Sequence, residues 1–327
     1  MSKKKLISIV TPVFNEEEAL DIYYDRVSKV INKLSNEYDF EIIFTDNCSI
    51  DNTFKKLQEL AEKDSKIRVF SFSKNFGYQK SIWFGYYKTK GDITLELDVD
   101  LQDPPEMLEE MLEHWKKGHK IVYGIRKDRK EGIIIKSLRK IFYRLVRKVS
   151  DYDIPNDAGD FMLLDRDIID HLKKIKLADP YLRGTIFGFG YSKIGIEYKR
   201  DVREVGVSKF QSLKLMGLAM DALVNTSIFP LRMATIAGLM ATFASIVLGG
   251  YFVIDKLFLG AELPKGITAI LVLILVSIAI NSTLIGILGE YIGKIYRQFS
   301  ASDIVPMVEK EVDNQKTFDN KDNFRKS

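Results

Sequence analysis

Two long stretches without a charged residue lie near the end of this 327-residue chain, and they constrain its fold most strongly. They cover residues 233–254 and 266–289. A helix needs about 20 apolar residues to cross the roughly 30 Å hydrocarbon core of a bilayer, so each stretch is long enough. The first 230 residues carry charges throughout and contain no such stretch. The sequence therefore predicts a polar N-terminal domain followed by a membrane hairpin of two spans.

The residues beside the hairpin predict its orientation. Basic residues flank its two outer ends: Arg232, Lys294 and Arg297. By the positive-inside rule they place both chain ends in the cytosol, although Lys256 and Lys265 in the connecting loop act against this. The chain starts without a signal-peptide pattern, and its single cysteine, Cys48, fits a reducing compartment. We therefore expect an integral protein of the cytoplasmic membrane whose N-terminal domain is cytosolic.

Strand-like and helix-like segments alternate along the N-terminal part. Apolar runs such as 6–13 and 93–97 predict buried strands, and amphipathic segments between the runs predict helices. This alternation is typical of an α/β fold, with a mostly parallel sheet and helices on both faces. Ligands of such sheets bind beyond the carboxyl ends of the strands. Polar groups fall at three of these ends, and we expect them at one edge: Asn15, Asp46 and the pair Asp98 and Asp100.

The stretch from Glu96 to Glu106 joins a buried strand to the start of a helix. It reads Glu-Leu-Asp-Val-Asp-Leu-Gln-Asp-Pro-Pro-Glu. Asp98 and Asp100 are two residues apart, so on an extended strand both point the same way. A strand end that opens into a turn lets both carboxylates hold one hard cation, Mg²⁺ or Mn²⁺, with water and substrate phosphate completing its shell. A solvated acidic loop is the alternative, and the position directly after a buried strand favours the metal site.

A strongly basic segment follows at residues 126–148. It holds ten Lys or Arg residues and two acidic ones, a net charge of +8. Apolar residues recur at helical spacing over 134–149, so we predict a basic amphipathic helix on an anionic membrane surface. A nucleic-acid patch is the alternative, which the neighbouring spans disfavour. A second amphipathic helix is predicted at 208–231, and the polar tail, 299–327, is predicted to be disordered.

Several motifs resemble those of family 2 glycosyltransferases of the polyprenyl-phosphate branch, which includes dolichol-phosphate-mannose-synthase-like and bactoprenol glucosyltransferases. The motifs are Thr11–Glu17, Ser71–Gln79, Asp98–Glu106, Gly159–Arg166, Arg183-Gly184 and Arg203–Lys209. The resemblance covers about residues 6–290. It implies a Rossmann-like GT-A catalytic domain over 1–207, an interfacial helix over 208–231 and two spans within 232–298. It also implies a homo-oligomer, expected to be a tetramer, that does not bind nucleic acid.

The reaction implied by this resemblance is inverting, metal-dependent sugar transfer from a nucleotide diphosphate sugar to a polyprenyl phosphate. UDP-glucose is the first candidate donor, with GDP-mannose and UDP-N-acetylglucosamine as alternatives. A non-catalytic membrane scaffold or lipid carrier is a further alternative. A processive polysaccharide synthase is another, but the Gln-x-x-Arg-Trp motif expected of such enzymes is absent from the sequence.

The resemblance also assigns roles to individual residues. The nucleotide is expected near Pro12, Asn15, Glu17 and Asp46. Asp98 and Asp100 would bind the nucleotide and the metal, with Gln102 close to the donor sugar or the metal. The donor diphosphate is assigned to Arg203, Ser208 and Lys209, and the lipid phosphate to Arg126 and Arg139. One departure concerns the family's usual Asp-Asp-Gly-Ser after the second strand, which reads Asp46-Asn-Cys-Ser49 here and leaves the identity of the nucleotide open.

The chemistry of the acceptor limits what the catalytic residues must do. A lipid phosphate has a second pKa near ~6 and is mostly dianionic at neutral pH, so it needs little help from a general base. We expect Asp100, Gln102 and Asp160 to be catalytic. Asp160 is assigned to the acceptor side, where it positions the acceptor or takes a residual proton, and Asp157 is the alternative. No residue resembles a covalent nucleophile, so a single displacement is expected.

Overall fold

The computed structural model describes residues 4–127, 155, 158–175, 180–199, 267–300 and 306–313, and scattered positions between 231 and 254. The chain divides into two compact units. The first contains the described residues up to 199 together with 306–313. The second contains the described residues between 231 and 300. The predicted basic helix at 134–149 and most of the predicted interfacial helix at 208–231 lie outside the described residues.

Eight strands form one mixed sheet in the first unit, in the order β7-β5-β6-β4-β1-β2-β3-β8. They are Lys5–Val13 (β1), Tyr38–Asp46 (β2), Ile67–Phe72 (β3), Ile93–Glu96 (β4), Ile121–Lys127 (β5), Ala158–Asp165 (β6), Lys193–Lys199 (β7) and Val308–Asp313 (β8). The pairs β1–β2, β1–β4, β2–β3 and β5–β7 are parallel. The pairs β3–β8, β4–β6 and β5–β6 are antiparallel. The predicted mostly parallel α/β sheet is confirmed.

Helices cover both faces of this sheet. They are Leu20–Leu34 (α1), Thr53–Lys63 (α2), Tyr78–Lys88 (α3), Leu108–Lys116 (α4), Arg166–Lys174 (α5) and Leu182–Gly188 (α6), with a 3-10 turn at Pro105–Met107 before α4. Side chains of α1, α2 and α4 share one hydrophobic core, and those of α3, α5 and α6 share the other. Strands β1 to β4 lie between these two apolar layers and are buried at nearly every position.

Helix α3 lies unusually close to the central strands. A Cβ atom added at Gly85 would overlap the side chain of Val10 on β1. Gly85 therefore permits a close approach that a larger residue would prevent, at a cost of about 1–3 kcal/mol for overpacking. This packing holds the first turn of α3, which begins at Tyr78, beside the carboxyl edge of the sheet.

The last strand corrects the prediction for the C-terminal tail. Residues 299–327 were expected to be disordered, but Val308–Asp313 pairs with β3 as an edge strand. Its Asp313 accepts a bond from buried Arg68 (Nε to Oδ2, 3.2 Å), and Arg68 also donates to buried Glu41 (Nη1 to Oε2, 3.0 Å). Edge strands often carry charges. The polar composition of this segment therefore led to a prediction of disorder where the chain forms a strand of the sheet.

The second unit contains one long helix, Ile267–Ser300 (α7). Within it, Val276–Gly293 is long and apolar enough to cross a membrane, and it is the only such segment in the described part of the chain. It falls largely within the second predicted span. Many of its apolar side chains, including Ile278, Ile285 and Ile292, are exposed. The first predicted span, 233–254, lies mostly outside the described residues, so the hairpin stays a prediction.

Candidate active site

The carboxyl ends of β1 and β2 present the first group of predicted residues. Asp46 is the last residue of β2, and its buried carboxylate accepts bonds from Ser71 Oγ (2.7 Å) and from the backbone N–H of Ser49 (3.1 Å). Pro12 is buried near the end of β1, opposite Thr45. The sequence placed Pro12 and Asp46 at this edge, and the structure brings them together there.

Asn15 and Glu17 brace the loop that follows β2. The backbone N–H of Asn15 donates to Ser49 Oγ (2.9 Å), and Asn15 Oδ1 accepts from the N–H of Ile50 (2.9 Å). Glu17 Oε2 accepts from the N–H of Asn52 (2.9 Å). Asn15 has a left-handed backbone (φ 53°), which asparagine tolerates better than most residues, and helix α1 begins after it at Leu20.

The two residues that depart from the motif of the resembled family, Asn47 and Cys48, each have a defined place in the structure. Asn47 is buried, and its Oδ1 accepts a bond from the backbone N–H of Phe76 (2.8 Å), which fixes the loop between β3 and α3. Cys48 has φ 63°, a left-handed conformation that glycine adopts without strain. Cys48 therefore keeps the backbone shape that the usual glycine favours, at a cost of about 1 kcal/mol.

A cluster of carboxylates surrounds the end of β4. The hydroxyl of Tyr78 donates to Asp98 Oδ1 (2.9 Å) and lies 3.3 Å from Oε1 of buried Glu96. Asp100 Oδ1 accepts from the N–H of Gln102 (3.1 Å). Burial, and then repulsion from Asp100 and Asp103, raises the pKa of Asp98 to about 7. Burial and the charge of Asp98 also raise the pKa of Glu96 well above its ordinary value. The cluster therefore carries excess negative charge.

This excess charge fits a divalent cation. Among the described residues there is no group of three or more His, Cys, Asp or Glu side chains arranged to hold a metal. Mg²⁺ is nevertheless commonly held by one or two carboxylates, while substrate phosphates and water supply the remaining oxygens. Asp98 and Asp100 meet that requirement, and the raised pKa of Asp98 marks a site where added positive charge is favourable.

Another carboxylate at this edge, Asp103, binds an arginine. Asp103 is buried, and its Oδ2 accepts from Arg126 Nη2 (3.1 Å). Arg126 Nε donates to the hydroxyl of Tyr198 (3.2 Å), which itself donates to Asp103 Oδ1. A Cβ added at Gly159 would lie 3.0 Å from Arg126 Nη2, so the glycine leaves room for the guanidinium. Arg126 lies at the predicted edge but is fixed by partners that sequence reasoning missed.

Asp160 forms a third polar group. It lies on β6. Its Oδ2 accepts from Arg183 Nη2 (3.1 Å) and from Gln79 Nε2 (3.4 Å). Gln79 Oε1 accepts from the N–H of Leu182 (3.2 Å). In the sequence, Gln79 and Arg183 stand out only as parts of motifs. In the structure, both donate hydrogen bonds to Asp160, the predicted acceptor-side carboxylate.

The remaining predicted residues lie outside the described part of the chain. They are Asp157, Arg139, Arg203, Ser208 and Lys209. Their roles in binding the donor diphosphate and the acceptor phosphate stay predictions. The described site therefore consists of the loops after β1 and β2, the carboxylate cluster and two arginines held by acids.

The chain is similar to known proteins. Residues 8–173 match the family description "Glycosyl transferase family 2". The bactoprenol glucosyl transferase of Shigella phage SfX is 35% identical over 291 residues, covering 89% of this chain and 94% of that protein. A prophage bactoprenol glucosyl transferase homolog of Escherichia coli K12 is also 35% identical over 291 residues, with the same two coverages. An uncharacterized Bacillus subtilis glycosyltransferase, YkcC, is 35% identical over 297 residues, covering 90% and 91%.

More distant similarity extends to solved structures. A mannosyltransferase from Pyrobaculum calidifontis, in complex with GDP-mannose and Mn²⁺, superimposes with a TM-score of 0.46 at 15% identity, covering 76% of this chain and 81% of that one. A glucosyl-3-phosphoglycerate synthase from Mycobacterium tuberculosis, with Mn²⁺ and UDP, gives a TM-score of 0.42 at 18% identity, covering 67% and 78%. Similarity at this level identifies no ligand.

Proposed function

Because this chain belongs to glycosyl transferase family 2 and is a glycosyltransferase, we propose that it transfers a sugar from a nucleotide diphosphate sugar to a polyprenyl phosphate. The observation that carries this proposal is the polar cluster at the carboxyl edge of the parallel strands, where Tyr78 binds Asp98 and each of two arginines, Arg126 and Arg183, is held by an acid. The relatives named as bactoprenol glucosyl transferases support a lipid phosphate acceptor and make UDP-glucose the first candidate donor.

The donor side is formed by the nucleotide loops and the carboxylate cluster. We place the nucleotide at Pro12, Asn15, Glu17 and Asp46, and the metal at Asp98 and Asp100. Bound Mg²⁺ or Mn²⁺ would offset the charge that develops on the leaving diphosphate. Gln102 would lie close to the donor sugar or the metal. On the other side of the diphosphate we place three residues from outside the described part of the chain, Arg203, Ser208 and Lys209.

The acceptor side is formed by Arg126 and Asp160. Nε and Nη2 of Arg126 are already oriented by Tyr198 and Asp103, so the guanidinium is held in one place before a phosphate arrives. Such preorganised donors lower the cost of binding an anion. We propose that Arg126, with Arg139, holds the lipid phosphate and that Asp160 positions it for inverting attack on the anomeric carbon. A dianionic phosphate needs no strong base.

The second unit would keep this site near its lipid substrate. We propose two spans, 233–254 and 266–289, in the cytoplasmic membrane, with the catalytic unit and both chain ends in the cytosol. The exposed apolar side chains of Val276–Gly293 support a lipid-facing helix. The basic segment 134–149 would rest on the membrane surface, and a homo-oligomer, expected to be a tetramer, completes the arrangement. Ending the chain at residue 230 would remove β8 along with the spans.

The experiment is a transfer assay with the full chain in detergent. UDP-glucose, UDP-N-acetylglucosamine and GDP-mannose are each supplied with polyprenyl phosphate, in Mg²⁺, Mn²⁺ or EDTA, and the glycolipid is quantified. We expect product from one donor only in the presence of metal. Asp100→Asn should abolish product, whereas Asp25→Asn, which removes an exposed acid on α1 paired with Lys29, should not. Undiminished transfer in EDTA would contradict the metal, and a folded protein with no transfer would favour a scaffold or lipid carrier.

A further inference from the structure

The first two residues of α3 each contact a different carboxylate of the site. The Tyr78 hydroxyl donates to Asp98, on the segment after β4 (2.9 Å). The Gln79 amide donates to Asp160, on β6 (3.4 Å), and accepts from the N–H of Leu182 (3.2 Å). Asp98 belongs to the proposed donor side and Asp160 to the proposed acceptor side. One helix turn therefore contacts both halves of the site.

The buried part of α3 fixes the position of this turn. Residues 81–86 of α3 are all buried, and Gly85 lets the helix backbone approach Val10 closely. Gly77, immediately before the helix, has φ 90°, a conformation that residues other than glycine rarely adopt. The chain thus enters α3 through a sharp turn, and the positions of Tyr78 and Gln79 are fixed by the packing of the helix on β1.

The two carboxylates would otherwise repel each other. Tyr78 and Gln79 are adjacent residues and bind one of these carboxylates each, so Asp98 and Asp160 both lie beside the first turn of α3. A hydrogen-bond donor on each carboxylate offsets part of this repulsion and limits the rotation of that carboxylate. Tyr78 is 40% exposed, so its ring contributes little to the hydrophobic core. Its hydroxyl bond is the more specific contribution to the structure.

We propose that Tyr78 and Gln79 are positioning residues for sugar transfer, with separable effects. Tyr78 orients Asp98 toward the metal and donor diphosphate, and Gln79, together with Arg183, orients Asp160 toward the acceptor phosphate. This inference rests on the proposed function. It differs from a general structural role because adjacent residues of one helix turn should affect different substrates.

The variants are chosen to remove one hydrogen-bonding group each. Tyr78→Phe keeps the ring and loses the hydroxyl. Gln79→Met keeps the length of the side chain and loses both amide bonds. Tyr87→Phe is the matched control, because Tyr87 is an exposed tyrosine of the same helix outside the site. Thermal unfolding of each variant measures any general damage to α3.

Two binding measurements then distinguish effects on the donor side from effects on the acceptor side, and neither requires turnover. Mn²⁺ is titrated with UDP or GDP present, and free Mn²⁺ is followed by electron paramagnetic resonance. Farnesyl phosphate, a short acceptor, is titrated by calorimetry. Because a hydrogen bond to a charged group contributes about 1.5–3 kcal/mol, we expect Tyr78→Phe to weaken Mn²⁺ binding about tenfold and leave farnesyl phosphate binding within twofold. Gln79→Met should show the opposite pattern, with a higher KM for the lipid and an unchanged KM for the donor.

Each remaining outcome is decisive. If both variants weaken both ligands equally, or lose thermal stability in proportion, the residues are structural and the inference is wrong. If Tyr87→Phe behaves like Tyr78→Phe, the hydroxyl bond to Asp98 has no special role. If wild-type protein binds Mn²⁺ but not farnesyl phosphate, the proposed function and the Gln79 assignment are both overturned. The Mn²⁺ titration would still decide the assignment of Tyr78.

Discussion

The carboxylates at the edge of this sheet have two different kinds of hydrogen-bond donor. Asp103 and Asp160 each accept a hydrogen bond from an arginine, Arg126 and Arg183 respectively. Asp98 instead accepts from the hydroxyl of Tyr78, which carries no charge, and its pKa rises to about 7 because it is buried among other acids. The first arrangement balances charge within the protein, whereas the second leaves it to be balanced by a ligand.

This difference indicates how one edge can hold ligands of opposite charge. A carboxylate cluster with excess negative charge attracts a cation, because added positive charge lowers its electrostatic energy. An arginine that is already held by a buried carboxylate keeps its charge and its orientation, so its remaining N–H groups suit a phosphate. In the proposed function, the same residue type, aspartate, therefore binds the metal directly and the phosphate indirectly.

The largest expected effect comes from removing an arginine and leaving its carboxylate buried. Arg126→Ala strands Asp103, which should lower the free energy of unfolding by about 3–5 kcal/mol and raise the KM for the lipid acceptor. Urea unfolding in detergent measures the first effect. Arg26→Ala is the control, because Arg26 makes two bonds to the more exposed Glu106 and should cost less than about 1 kcal/mol. Equal losses in the two variants would mean that Asp103 does not depend on Arg126.

A smaller effect is expected at an arginine pair far from the site. Asp313→Ala removes one carboxylate from buried Arg68, which keeps Glu41 and the carbonyl of Lys88 as partners. We expect a loss of about 2 kcal/mol in the free energy of unfolding, with unchanged KM values for both substrates. A change in the acceptor KM here would show that stability alone alters acceptor binding and would remove the contrast with Arg126→Ala.

The smallest stability effect should have the opposite sign. Asp98→Asn should lower transfer by about 10²-fold or more. In metal-free buffer it should raise the free energy of unfolding by about 1 kcal/mol near neutral pH, because it removes a crowded negative charge. Since the pKa of Asp98 is raised from 3.8 to about 7, the folded wild type binds more protons than the unfolded chain between these values. Wild-type stability should therefore fall relative to the variant as pH rises from 4 to 7, and the difference should stay constant above 7.

A matched measurement in saturating Mn²⁺ tests the same comparison. If the cation supplies the missing charge, wild type should gain stability with Mn²⁺ and Asp98→Asn should gain less. Thermal unfolding with and without Mn²⁺ measures both gains. Equal gains in the two proteins would place the cation somewhere other than Asp98.

The sequence predicts some parts of this molecule well for a physical reason. Strands β1 to β4 lie between two apolar layers, so most of their residues are buried, and apolar runs such as 6–13 mark them in the sequence. The positions of Asp46 and Asp98 at the sheet edge follow from where the strands end. Strand β7 alternates instead, with Ile194, Ile196 and Tyr198 on one face. Such alternation is typical of a strand, and it also puts Tyr198 on the face from which its hydroxyl binds Asp103.

Other features depend on contacts between residues far apart in the chain. Tyr198 and Asp103 are 95 positions apart, and Arg68 and Asp313 are 245 positions apart. No local pattern specifies either pair. Gln79 and Arg183 were visible only as members of motifs, because their shared partner, Asp160, is 81 and 23 positions away from them. Local periodicity thus predicts elements, whereas the pairing of charges requires the three-dimensional structure.

The two edge strands of the sheet also limit how the chain can meet a membrane. Strand β7 ends at Lys199 and β8 begins at Val308, and both belong to one folded sheet. They must therefore lie on the same side of any bilayer, so the chain between them crosses it an even number of times. If Val276–Gly293 spans the membrane, a return crossing must come from elsewhere between these strands. A single crossing between β7 and β8 is thus excluded by the parity of the fold.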